Sequence, residues 1–285
     1  GWTPEIVEAT KDTTYTATFT AIEADYDIII QHLNLDGTKA AEDYTAELTE
    51  EKLYTYEAPV IEGKTASHKY LNYLYQGEKV LITIYYSEVD VWDGTSVSAE
   101  FVGEGTAENP YLISSGADLA LIREKVNGGD TLAGKYFKMT KSIDLNGHSL
   151  MVGFHIGWNN YQGFFGTFDG NNCSIRGINI DNTAGSTSTA LFGCVNTGTL
   201  KNLSIYGSVK GVSTVGGLVA YTVSNAVIEN ITSYVDVYGT KGTIGGVVAN
   251  QENSAGALLN CVNYGTVTSA SYIVGGVVAS VGKDI

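Results

Sequence analysis

One six-residue phrase constrains this chain more than any other feature. Residues 215–220 read Val-Gly-Gly-Leu-Val-Ala, residues 244–249 Ile-Gly-Gly-Val-Val-Ala and residues 274–279 Val-Gly-Gly-Val-Val-Ala, so the starts lie 29 and 30 residues apart. A fixed period of that length indicates stacked coils, none of which can bury its own apolar face alone. Glycine at such corners lets backbone approach backbone closely. A second unit, apolar-Asn-apolar, returns in step with the first at Asn202, Asn230 and Asn260. Asparagines that recur with the fold period predict a ladder of side-chain amides running between coils, inward or at a corner.

The rest of the composition fits strands and tight turns. There are 34 Gly, 3 Pro and 19 Tyr, and the apolar runs are short, which points to a mainly β chain. At 285 residues the length prior is about two domains. Charge divides the chain in the same way. Residues 1–108 carry 21 acidic and 6 basic side chains, a balance of −15, whereas residues 109–285 carry 10 of each. An acidic half excludes phosphate-backbone binding, so nucleic acid is not an expected partner. No apolar run is long enough to span a bilayer, so no membrane insertion is expected. Cys173, Cys194 and Cys261 lack metal-site spacing and sit in strand-like surroundings, where a thiol packs as a small hydrophobe.

Read in order, residues 1–22 hold one strand, where Tyr15, Ala17 and Phe19 alternate with Thr. Residues 24–88 form a module with strands expected at 26–33, 44–48 and 80–86, and an Asp36-Gly37-Thr38 turn. Residues 89–105 read as a linker. Residues 115–128 are the one amphipathic helix, with Ser115 and Asp118 as a capping pair, Leu119, Ile122 and Val126 on one face, and Gly128 as the stop. A helix placed before a solenoid is expected to cover its open end. Residues 106–285 are then solenoid.

Three stretches resemble known families. Gly1-Trp2-Thr3-Pro4-Glu5-Ile6 followed by Tyr15-Thr16-Ala17-Thr18-Phe19 resembles the close of the Listeria–Bacteroides extracellular repeat. Asp36-Gly37-Thr38 with Ile84-Tyr85-Tyr86 resembles the mucin-binding-protein repeat, which implies a small ubiquitin-like β-grasp domain. The lead-in at 105–113, the helix, residues 136–145, the segment 163–170 and the Gly-Gly series resemble the GLUG repeat family, which implies a right-handed parallel β-solenoid. Together these imply an internal, monomeric segment of a longer adhesin, extracellular and attached to a Gram-positive bacterial cell wall. The implied partners are host glycans, mucin or an extracellular protein.

For a binding site, the aromatic run Tyr70, Tyr73 and Tyr75 is the candidate: tyrosine rows can stack on sugar rings, or they can pack the sheet they belong to. No catalytic residues and no cofactor are assigned, although Glu88, Asp90 and Asp93 could hold a structural Ca²⁺. His32, His68, His148 and His155 do not form the zincin pattern, and residues 185–189 lack the second glycine of a serine-nucleophile turn. The enzyme alternative is a polysaccharide lyase or hydrolase, which needs at least two of Asp144, Asp169 and Asp181 within about 5–10 Å of each other. Both Asp169-Gly170 and Asp144-Leu145-Asn146-Gly147 also suit ordinary turns. A passive stalk is the third reading.

Overall fold

A computed structural model describes residues 2–3, 16–17, 26–157, 160–185, 188–252, 256–270 and 273–282. From residue 111 onward the chain winds into a β-solenoid of about five turns. Its first stack of parallel strands contains Tyr111–Ile113, Tyr136–Met139, Thr167–Asp169, the openings of Thr199–Gly211 and Val227–Gly239, and Ala257–Leu259. The second contains Ser142–Asp144, Ser174–Asp181, the later parts of the two 13-residue strands, Val262–Asn263 and Val267–Ser269. Thr214–Gly216, Thr243–Gly245 and Ile273–Gly275 form the third. Phe192–Asn196, Val219–Val223, Val248–Gln251 and Val278–Val281 form the fourth.

The Gly-Gly phrase turns the chain from the third stack into the fourth, and its two glycines do different jobs. A Cβ on Gly216, Gly245 or Gly275 would collide with the carbonyl oxygen three residues later in the same turn. A Cβ on Gly217 would strike the Gly246 carbonyl, and one on Gly246 the Gly276 carbonyl, each in the next coil. The first glycine therefore permits the corner and the second permits the stacking. Val215, Leu218, Val219, Ile244, Val247 and Val248 flank these corners and are fully buried.

The expected asparagine ladder is present at the corner between the first and second stacks. Asn230 Nδ2 donates to Asn202 Oδ1 at 2.9 Å, and Asn260 Nδ2 donates to Asn230 Oδ1 at 3.1 Å. Asn202 Nδ2 continues it to Asp169 Oδ1 at 3.0 Å. All three asparagines have φ between 50° and 55°, a left-handed conformation that Asn tolerates better than other side chains. In the early turns the interior is aromatic: Phe137, Phe164, Phe168 and Phe192 are buried, with successive ring centroids 5.5–5.9 Å apart.

The helix Gly116–Asn127 lies between the first two strands of the first stack, within the first turn. Ser115 is its N-cap, and the capping box with Asp118 is complete. Leu119, Ile122 and Val126 are buried in the solenoid core. Cys173 and Cys194 are buried there too, and Cys261 is half-buried; burial pushes the first two thiols up to about 12.

The module before the solenoid is a sheet in the order Lys39–Ala46, Ile28–Asn34, Val80–Val91, Lys64–Ala66. The Ile28–Asn34 and Val80–Val91 pair is parallel, the others antiparallel. A hairpin, Leu53–Glu57 with Tyr70–Leu74, packs on it over Ile28, Ile30, Ile84 and Tyr86. The Asp36 turn is as expected: Asp36 Oδ1 accepts from the Thr38 backbone N–H and hydroxyl, and Gly37 has φ 83°. Strand Trp2–Thr3 pairs antiparallel with Thr16–Ala17; the remainder of residues 1–22 lies outside the described residues.

The linker expected at 89–105 is not one. The strand Val80–Val91 runs straight on, and its last three residues pair in parallel with Ser142–Asp144, joining the module's sheet to the solenoid's second stack. Trp92 follows, 2% exposed, at a distance from Gly116 that leaves no room for a Cβ there. Phe101 packs on Tyr111 and Phe137. These residues lack strand periodicity because they wrap the first turn as separate anchors.

Candidate interaction surface at the junction of module and solenoid

The module is also held to the solenoid's flank by a row of tyrosines. Tyr206 and Tyr234 are register partners on the outer side of the second stack, and Tyr264 follows 30 residues on. Their rings stack with centroids 4.5 and 5.1 Å apart and planes 5° and 19° apart. The Gly207 and Gly265 that follow two of them leave no room for a side chain of their own.

The three hydroxyls meet the backbone of the module's hairpin edge. Tyr206 OH accepts from Lys69 N at 3.1 Å and donates to Ser67 O at 3.2 Å. Tyr234 OH donates to Tyr70 O at 2.6 Å, and Tyr264 OH accepts from Asn72 N at 3.4 Å. The row thus serves an edge strand that would otherwise present unpaired groups. Burial pushes the Tyr206 phenol up to about 12 and Tyr234 higher still. Beside the row, His68 Nε2 is hydrogen-bonded to Thr232 Oγ1 at 3.1 Å, and burial lowers the imidazole to about 4. Arg176 Nη1 donates to Thr65 Oγ1 at 2.6 Å, with its guanidinium 5.5 Å from the Tyr206 ring centroid.

This arrangement shows what the predicted aromatic run does inside the molecule. Tyr70 lies edge-on to Tyr234 and Tyr264 at 4.8 and 5.2 Å. Tyr73 is half-buried against the module core, 6.4 Å from Tyr75. Tyr75 is 5% exposed and donates to Asp27 Oδ1 at 2.8 Å, a bond that raises its phenol to about 12. Tyr75 is thus withdrawn from the surface, and the face of Tyr70 is occupied by the solenoid. Sequence reasoning missed Tyr206, Tyr234 and Tyr264. The signal was present as Tyr at 28- and 30-residue spacing, but Tyr-Gly also reads as a turn.

The carboxylate expectations resolve into local structure. Asp144 Oδ1 accepts from Asn146 N, Asp169 Oδ1 from Asn171 N, and Asp181 Oδ1 from Thr183 N and its hydroxyl. Asp144 pairs in register with Arg176, five residues before Asp181 on a strand, which separates the two by about 15 Å. Asp169 lies on the first stack, before the corner. Each of the three carboxylates thus closes a turn of its own. The Ca²⁺ candidates also part company: Glu88 pairs with Lys141 at 2.8 Å, Asp90 accepts from the helix N-terminal Gly116 N, and Asp93 closes a turn with Thr95 and Ser96. Those turn bonds hold Asp93 down to about 2.

Cavities open at the junction and along the solenoid. One of about 180 Å³ lies at the junction, lined by the module loop around Lys64 and by Arg176 and Tyr206. A wider one of about 510 Å³ crosses the outer first stack, lined by Tyr136, Lys138, Asp169 and Lys201. There Lys201 Nζ lies 3.6 Å from Asp169 Oδ2, so its charges are already matched.

No family model matches the chain. It is similar to a stretch of halomucin from Haloquadratum walsbyi, 33% identical over 57% of this chain and 2% of that protein. A protein of Evansella cellulosilytica described as a Gly-rich membrane protein is 33% identical over 54% of this chain and 17% of its own length. The chain therefore spans a small fraction of the curated relatives it matches. A Bacteroides ovatus crystal structure, described as an immunoglobulin A1 protease, is 19% identical with a TM-score of 0.41, covering 62% of this chain and 63% of that one. No helix among the described residues is long and apolar enough to cross a membrane.

Proposed function

We propose that this chain is a non-enzymatic binding and display segment of an extracellular surface protein, attached to a bacterial cell wall and directed at host glycans, mucin or matrix protein. The observation that carries this reading is the double attachment of the acidic module to the solenoid, through the shared strand Val80–Val91 and the tyrosine row. Such a unit presents its module on a stiff arm and keeps the orientation that repeated weak contacts need for avidity. The names of its relatives, a halomucin and a membrane protein, support a surface location. The module's sheet, with its first and last strands parallel and central, supports a β-grasp-like ancestry in which a hairpin stands where a helix would cross. Helix Gly116–Asn127 acts as the cap of the solenoid's first turn. Asp36-Gly37-Thr38 and the Gly-Gly corners support the mucin-binding-like and GLUG-like resemblances.

The test has two parts. Antibodies raised against this segment should label intact cells, and the segment multimerised on beads should retain at least one mucin, glycan or matrix protein above a scrambled-surface control. Surface labelling with no retained partner would reduce the role to a stalk, and no labelling of intact cells would sink the reading.

A further inference from the structure

We infer that the junction cavity is a binding site for the carboxylate or sulfate group of an acidic sugar; this rests on the surface-binding reading and names its ligand chemistry. Lys64, Lys69 and Arg176 line one cavity of about 180 Å³. Two of these three cations come from the half of the chain that holds only six. No carboxylate of the described residues lies within ion-pair distance of any of them. Lys64 Nζ donates to Asn34 Oδ1 at 2.6 Å and Arg176 Nη1 to Thr65 Oγ1 at 2.6 Å. Both acceptors are neutral and each head group keeps donors to spare; Asp36 and Glu88 act on Lys64 only from beyond ion-pair distance. Exposed Glu57 is the single carboxylate in the lining, and it pairs with none of the three.

The lining selects the ligand class. One guanidinium and two ammonium side chains around a single cavity suit the two or three oxygens of a carboxylate or sulfate. Tyr206, Tyr86 and Ile61 supply apolar wall, the usual complement to a few convergent polar groups in a ligand cavity. The surrounding −15 balance repels a polyanion, so nucleic acid or a heavily phosphorylated chain is disfavoured. A single negative group on an otherwise neutral sugar meets the local charge without that penalty. Lys64 and Lys69 come from the module and Arg176 from the solenoid, so the site exists only while the tyrosine row holds the two together.

Saturation-transfer NMR and calorimetry on the intact chain test this with N-acetylneuraminic acid, glucuronic acid and N-acetylglucosamine 6-sulfate, set against N-acetylglucosamine and glucose. The acidic sugars should bind about tenfold tighter than the neutral ones, and the preference should shrink as NaCl is raised. Lys69→Gln should weaken acid binding about threefold and Lys64→Gln with Lys69→Gln about tenfold; both side chains are exposed, so the circular dichroism spectrum and melting should not move. Equal affinity for acidic and neutral sugars, acid binding that ignores both lysines, or no acid binding would overturn the site. Neutral-glycan binding as tight as acid binding and unchanged by both substitutions would overturn the site and leave the surface-binding reading standing.

Discussion

The module and the solenoid are stabilised in opposite ways. Among the described residues, the solenoid's core cluster contains 37 buried apolar side chains and the module's contains five, namely Ile28, Ile30, Ala58, Ile84 and Tyr86. Residues 109–285 of the solenoid are neutral, while the module, residues 24–88, carries 12 acidic and 5 basic side chains. A five-residue core under mutual repulsion is a weak basis for an independent domain. The module's hairpin edge is completed by Tyr206, Tyr234 and Tyr264, and its longest strand ends inside the solenoid's sheet. Two regions that look separable in composition are thus one cooperative unit at their boundary, with the stability supplied from the solenoid side.

The largest expected effect breaks the stronger partner. In Gly246→Val the new side chain must enter space held by the Gly276 carbonyl and Asn263. Because backbone blocks it, the last coils must separate, and the cost should reach about 3 kcal/mol or more. The comparison predicts that the module loosens as well, since the flank it leans on includes Tyr264. Thermal unfolding with hydrogen exchange should show both regions losing protection; a module that keeps full protection would mean it stands alone.

Acid should separate the two regions in the other direction. His68 is held below its ordinary value by burial at the interface, so the folded state favours the neutral ring. That contribution is complete above about pH 6.5 and is lost as pH falls toward about 4, where docking requires burying an imidazolium. Exchange protection should fall first in residues 64–75 over this window while the Gly-Gly corners remain protected. His68→Gln should remove the step; if it persists unchanged, carboxylate titration in the module is responsible instead.

Legibility in the sequence follows the same division. The corners, the Asn202–Asn230–Asn260 ladder and the coil period were readable because a solenoid repeats each contact at a fixed spacing. The helix was readable because Ser115, Asp118 and Gly128 act locally. Docking was not, because Tyr70 and Tyr234 meet across 164 residues, and nothing periodic links a hairpin in the module to a coil. The neighbours of the aromatic run at Tyr70, Tyr73 and Tyr75 could not be named from one sequence. Residues 89–91 read as linker because Asp90 breaks the apolar alternation, and its carboxylate turns out to serve the helix N-terminus.

A smaller effect isolates one hydroxyl. Tyr234→Phe keeps the stacked ring and removes the donor to Tyr70 O, leaving a partly buried carbonyl without its bond, at a cost of about 1–2 kcal/mol. The loss should appear as faster exchange along Tyr70–Leu74 with little change in the solenoid's melting. A uniform loss across both regions would mean that the row stabilises the solenoid itself rather than the junction.

The smallest effect tests the ladder against its own backbone. Asn230→Ala removes one bond to Asn202 and one from Asn260, and also places a Cβ-bearing residue without Asn's local hydrogen bonding at φ 53°. Asn230→Gly removes the same two bonds but tolerates that φ. Asn230 is exposed, so water replaces part of what each bond contributed, and the glycine variant should lose about 1 kcal/mol. The alanine variant should lose about 1 kcal/mol more from left-handed strain. Equal losses would assign the asparagine's value to its amide ladder alone, and a loss confined to alanine would assign it to the corner. Neither variant should change exchange at Tyr70–Leu74, because the ladder runs along the corner between the first two stacks, away from the hydroxyls that hold the module.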